Sequence, residues 1–424
     1  MRIMKQVAFA FWLLTITASH AKTQTVEDWP RWRGPRGDGT WHGPVLPEKW
    51  PDGGLKPKWK VAVGGGYSGV TVVGSRVFVM DRQKKPEVER VLCLDADSGR
   101  EIWKHEYPVE YGKLDYGNGP RAAPTWHEGK LFTIGALGEC RCLDAMTGAK
   151  VWSVNFVSDL KGRVPLWGFA GSAFIDGDNV LVQPGGKEEQ SIAALSRHTG
   201  KLVWSSHSDE AGYATPMIVT HNERRQLICW TPSHIRGLDP VSGRPFWNVP
   251  YEITYGVSIA QPIFHEGLVL VCGYWHGSKA IRLGAQPEQA ELAWEENKFL
   301  RGLMSQPLYR DGHVFLLDKQ YGLTCFELKS AKKLWDDDNT MTPRGRNPHA
   351  SLVWLSDSSG TPSDRAIILN SEGDLILARL TPTGYHEQSR TNIIGFTWAH
   401  PAFAGSRVYA RSDTELVCVP LLPE

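Results

Sequence analysis

The sequence is short of several things, and each shortage removes a class of function. Its 424 residues carry a formal net charge of +1 with both signs interspersed, which gives no electrostatic footing for nucleic acid or an anionic membrane surface. Past the first twenty residues no apolar run approaches the roughly 18 residues that a membrane-spanning helix needs. Long stretches of Ala, Leu, Glu and Lys are scarce, so helices are not expected to dominate. Seven cysteines are present but no two are adjacent. The string "GFAGSAF" lacks the G-x-S-x-G spacing of a hydrolase nucleophile elbow. "GGGYSG", residues 64–69, leads into strand-like residues and not into a helix, so it does not read as a phosphate loop.

What is abundant is glycine, proline and tryptophan, at 43, 27 and 18 residues. That mixture reads as strands and turns. The chain opens with Arg2 and Lys5, the apolar run "VAFAFWLLTI" and the small-residue site Ser19-His20-Ala21. These predict a signal peptide over residues 1–21, export to the periplasm or beyond, and a soluble mature protein starting near Lys22. No cysteine near that site supports a lipid anchor. Residues 22–54, rich in Pro, Gly and Trp, are expected to pack irregularly on one face of the remainder, residues 55–424.

That remainder repeats. Trp59, Trp103, Trp152, Trp204, Trp247, Trp294 and Trp335 recur at spacings between 41 and 52 residues, a period of propellers and solenoids. Each period holds four apolar runs, as in "YSGVTVV", "RVFVMD", "RVLCLD" and "REIWKHE", which is the strand count of a propeller blade. Ser98-Gly99, Thr147-Gly148, Thr199-Gly200, Ser242-Gly243 and Thr383-Gly384 place glycine where a tight turn needs positive φ. Asp95, Asp144 and Asp239 are read as acceptors for turn N–H groups, and the tryptophans as wedges between blades. Asp336-Asp337-Asp338 reads as a solvated loop.

Eight modules can be counted, beginning near Tyr67, Arg121, Phe169, Tyr213, Ser258, Met304, Asn347 and Trp398. The eighth supplies three strands, and the missing one stands at the other end as "KPKWKV", residues 56–61. The fold expected is therefore all-β: an eight-bladed propeller of four-stranded blades, its ring closed by an N-terminal strand, leaving no open edge at the seam. In the third strand of each repeat one column reads Cys93, Cys142, Ala194, Gly237, Arg282, Cys325, Ala378 and Cys418. Its cysteines are expected to be buried small residues, too far apart to bridge. The states of Cys140, Cys229 and Cys272 are left open.

The "LDxxTGxxxW" hairpin on this period resembles the pyrrolo-quinoline quinone (PQQ) repeat. The resemblance spans roughly residues 55–420, and "DWPRWRGPRGDG", residues 28–39, is similar to the opening of exported bacterial PQQ-like propellers. It implies kinship in fold with quinoprotein alcohol dehydrogenases and with the outer-membrane-protein assembly lipoprotein. The dehydrogenases resemble one another in an adjacent cysteine pair covering the cofactor, which this chain lacks, and the assembly protein has a lipidation cysteine, also lacking here. The shared hairpin is structural, so fold transfers and function does not.

A site is sought where the first strands converge. Pro124, Pro216, Pro262, Pro307 and Pro401 share one position in the first strand, which marks that strand as an edge and so as the channel lining. The residue before this column reads Gly69, Ala123, Ser172, Thr215, Gln261, Gln306, His349 and His400. Two residues earlier stand Tyr67, Arg121, Ala170, Tyr213, Ile259, Met304, Asn347 and Trp398. These form two stacked rings at one mouth. From them Tyr67, Arg121, Tyr213, Gln261, Gln306, Asn347, His349, Trp398 and His400 are the candidate ligand contacts. Neither ring holds a carboxylate, so no metal site is expected there, and no catalytic residue is assigned.

Three functions follow as expectations. The first is a non-catalytic exported propeller, monomeric, that binds a protein or another envelope macromolecule. The second is a PQQ-dependent oxidoreductase with Arg121 facing a cofactor carboxylate; the third, a glycan or small-ligand module stacking on Tyr67, Tyr213 and Trp398. No cofactor is expected on the first reading.

Overall fold

The computed structural model describes residues 27–302 and 304–423; the expected signal peptide lies outside them. Eight sheets succeed one another around a common axis. Blade one is built from Thr71–Val73, Arg76–Lys84, Glu87–Asp95 and Glu101–Pro108, paired in that order and antiparallel throughout. Each later blade repeats this a-b-c-d meander, strand a nearest the axis. Antiparallel order then assigns the turns to faces. The a–b and c–d turns lie on one face, called the lower; the b–c turns and the connections from d to the next a lie on the upper.

The ring closes as the sequence implies. Trp59–Ala62 pairs with Glu415–Pro420, Trp59 opposite Cys418, and completes the blade begun by Ala402–Ala404 and Arg407–Arg411. Arg411 locks the seam: fully buried, it donates to the carbonyls of Met80 in blade one, Gly64 and Ser412 at 2.6, 2.6 and 3.0 Å.

Neighbouring blades are joined by the tryptophans. The Trp103 indole donates to Ala145 O at 3.2 Å, Trp152 to Arg197 O at 2.9 Å and Trp294 to Leu328 O at 2.8 Å, each acceptor lying in the following blade. The ring also covers the turn glycine of that blade. A Cβ at Gly148, φ +74°, would fall 2.5 Å from the Trp103 ring, so this glycine is required twice over. Asp95 accepts the N–H and hydroxyl of Ser98 at 2.8 and 2.7 Å, and Asp144 does the same for Thr147.

Trp247 packs with Val269 and Ile281 of blade five as a wedge, but its indole bonds Gln226 Oε1 within its own blade at 2.8 Å, since blade five has no Thr-Gly turn to receive it. Four readings need correction. Gly384 lies in an extended strand, because Thr381 pairs with Gly384 across a two-residue turn and no positive φ is needed. In blade five the residue opposite the tryptophan is Ala280, not Arg282, which pairs instead with Glu291. All eight residues of that column are thus small or thiol-sized; seven face an indole, and Ala378 of blade seven faces Glu387. The prolines stand one residue before strand a, since Thr125, Met217, Ile263, Leu308 and Ala402 begin the pairing. Asp337 is not simply solvated: its carboxylate accepts N–H groups of Leu323, Asn339 and Met341 and is pushed up by burial.

All seven cysteines are buried free thiols, Cys140, Cys229 and Cys272 among them. Among the described residues no helix is long and apolar enough to cross a membrane.

Candidate functional site

The N-terminal segment determines what kind of channel this is. Trp29 forms a bridge with Val72 of blade one, and Pro30 O accepts from Trp126 N of blade two at 2.7 Å. Three residues on, buried Arg33 donates to Pro307 O before blade six at 3.0 Å. Residues 29–33 therefore cross the axis on the lower face. Thr40–His42 then adds to strand a of blade seven as a parallel fifth strand, so this segment is less irregular than its composition suggests. Trp29, Trp41 and Trp50 are buried. Trp32 points along the axis, its ring 4.1 Å from the His400 ring.

Above this plug lies a funnel of about 530 Å³, open on the upper face. All eight residues of the outer expected ring line it, and Thr215, Gln306, His349 and His400 of the inner ring form its floor. Gln261 does not reach it. That side chain is buried beneath the wall, its Nε2 3.4 Å from Pro216 O, while Gln306 Oε1 accepts the Gln261 backbone N–H at 2.8 Å. The inner ring is tied blade to blade in the same way elsewhere, with Ser172 Oγ accepting from Ala123 N and Thr215 Oγ1 accepting from Ser172 N.

The floor is neutral. The His349 and His400 rings lie 5.1 Å apart. His349 is buried with no protein hydrogen bond to either ring nitrogen, and burial lowers it to about 4. His400 bonds Ser351 Oγ at 3.0 Å and is pushed well down by burial and then by His349. Two imidazoles that titrate this low act as neutral donors and acceptors, not as cations.

Arg121 is the cation of the outer ring, and three of its five N–H groups are engaged by backbone. It bonds the carbonyls of Gly119, Asp115 and Gly117 and lies over the Tyr67 ring at 5.6 Å. Its work is to fold the connection between blades one and two over the mouth.

The walls are aromatic to a degree that the repeats do not announce. Trp398 lies 5.6 Å from each of Tyr67, Tyr116 and Phe396. Trp167 bridges Tyr116 to Tyr213, at 5.8 and 5.2 Å. Across the mouth Trp275 sits between Tyr255 and Tyr274, at 6.4 and 4.7 Å. Tyr116, Trp167, Tyr255, Tyr274, Trp275, Asp115 and Arg346 were not foreseen. They occupy d–a connections and b–c turns, which obey no period; only the density of aromatics there could have signalled them.

The sequence matches, over residues 87–274 and 231–422, the family described as outer membrane protein assembly factor BamB. Two curated relatives match locally. They are the quinohemoprotein alcohol dehydrogenase ADH IIB of Pseudomonas putida, 29% identical over 32% of this chain, and the quinone alcohol dehydrogenase subunit of Acetobacter aceti, 31% identical over 27%. The matches span only 20% and 16% of those two proteins. Among solved structures, BamB of Moraxella catarrhalis superposes with a TM-score of 0.58 at 16% identity, covering 86% of this chain and 99% of that one. The quinohemoprotein alcohol dehydrogenase of Comamonas testosteroni gives 0.60 at 13%, covering 94% and 82%. Identities this low establish the fold.

Proposed function

We propose that this chain, which belongs to the PQQ-repeat family described as outer membrane protein assembly factor BamB, is an exported, non-catalytic binding module of the cell envelope. It engages a protein partner through its upper face. The observation that carries this is the exposed aromatic rim: Tyr255, Phe396 and Trp275 are 67, 56 and 44% accessible around one mouth. Large apolar side chains gathered on one water-facing surface mark an interaction site. A photo-crosslinking residue at Tyr255 or Phe396 should give protein adducts in an envelope extract. One at Met146, equally exposed in a lower-face turn, should give none. Equal labelling from both faces, or none from the rim, overturns the proposal.

The quinone cofactor of the dehydrogenases does not find at the outer ring the partner expected for it. PQQ carries three carboxylates on a planar ring system, and the cation expected to meet one of them, Arg121, is committed to three backbone carbonyls. Among the described residues no cluster of three His, Cys, Asp or Glu side chains is placed to hold a metal ion.

Glycan binding at the same mouth is the second reading, favoured by the flat faces of Tyr67, Tyr213 and Trp398. Under it, Trp398→Ala abolishes oligosaccharide binding without unfolding the protein.

A further inference from the structure

One side of the funnel mouth is cationic, and its cations outnumber the carboxylates beside them. Lys319 Nζ lies 4.3 Å over both the Tyr274 and the Trp275 rings. Arg346 sits over Tyr116 at 6.0 Å, and its carbonyl accepts from the Tyr274 hydroxyl at 2.9 Å. Arg301 is adjacent, its carbonyl accepting from Lys319 N at 2.9 Å and its guanidinium bonding Gln320 Oε1 at 3.0 Å. Among the described residues none of the three forms a salt bridge, and neither does Asp115, the one carboxylate on the wall. The nearby carboxylate of Asp318 is consumed by the backbone N–H groups of Arg301, Gln320 and Tyr321. Burial, then the Arg301 charge, pushes the Lys319 ammonium down, against the opposing pull of the Asp318 carboxylate. Three cations set against the single buried carboxylate of Asp318 leave this side of the mouth net positive, a field that suits an external anion.

The cavity behind them has different chemistry. Val257, Ile259, Met304 and Ala170 give it aliphatic walls, and it ends blind on the neutral imidazoles and Trp32. Below the rim the inward-facing polar side chains are gathered on the floor, at Thr215, Gln306, His349 and His400, and the walls between are apolar. An apolar side chain needs only the volume.

We propose that the funnel receives an acidic segment of a partner protein, one apolar or aromatic side chain entering the blind cavity while flanking carboxylates meet Arg301, Lys319 and Arg346. This rests on the upper face being the docking face and adds what docks there. An aromatic anchor in a pocket, ringed by steering charges, is a common division of labour in recognition.

The test uses a fluorescent peptide alternating aspartate and phenylalanine, followed by anisotropy on the intact protein. Saturable binding is expected, weakened about tenfold when asparagine replaces aspartate or alanine replaces phenylalanine, and weakened by salt. A Lys319→Gln, Arg346→Gln double variant, altering side chains outside the core, should show the same loss with an unchanged melting curve. Equal binding of the asparagine peptide, or an unaffected double variant, overturns the proposal. So does saturation by an oligouronate with no peptide binding, which would hand the site to an acidic glycan. Absence of binding by every probe overturns it too, whereas protein adducts from Tyr255 would still leave the docking face standing.

Discussion

The Trp152 indole donates to the carbonyl of Arg197, in the next blade, at 2.9 Å and covers the face of Gly200. This one contact combines burial, a hydrogen bond and a turn that tolerates no side chain. Trp152→Ala should destabilise the protein by about 3–5 kcal/mol, read from the denaturant midpoint. A loss under about 1 kcal/mol would mean the blades are held by something else.

The seam gives a second expectation. Deleting residues 55–63 removes the strand opposite Glu415–Pro420 and the Trp59 bond to Ala96 O at 3.0 Å. Cooperative unfolding should be lost or the melting temperature should fall severely. An unaltered calorimetric transition contradicts the closure.

Arg411 offers a sharper version of the same experiment. Its burial lowers the guanidinium to about 10, and it serves only backbone carbonyls. Arg411→Leu fills the volume but leaves those oxygens without a donor, at a cost of about 2–5 kcal/mol. Retained stability in urea would show that the seam does not depend on them.

Acid should act through His349. Its folded value of about 4 lies below the ordinary 6.5, so the unfolded chain binds the proton more readily. The stability this contributes is complete above about pH 6.5 and is lost as pH falls toward 4, to a ceiling of about 3 kcal/mol. His349→Gln should flatten the pH dependence of the urea midpoint across that window. His400, depressed in the same direction, will retain part of the slope. An identical slope in the variant would assign it elsewhere.

Finally, titration with PQQ, with and without calcium, should give no saturable absorbance change. Saturable binding lost in Arg121→Ala would revive the oxidoreductase reading, because that guanidinium would have to leave its carbonyls to do it.

The ring was legible because a propeller repeats its costly parts: an indole over a turn glycine, as at Trp103 and Gly148, recurs at the turns of blades one to four. Blade five hid its register because the longer turn between Leu283 and Ala290 breaks the Thr-Gly spacing, and Arg282 was taken for Ala280. The outer ring and half of the inner ring were legible through the proline column; Gly69, Ala123, Ser172 and Gln261 do not line the funnel, the last because its side chain turns sideways to brace its neighbour. The rim was not. Tyr116, Trp167, Tyr255 and Trp275 stand in connections whose conformation is set by hydrogen bonds such as those of Arg121, and no periodicity governs them.

Trp32 has a consequence for traffic. With the axis stoppered from below, the ring is a cup and not a pipe: what enters must leave by the way it came. Nothing can be passed through such a molecule, only held and let go.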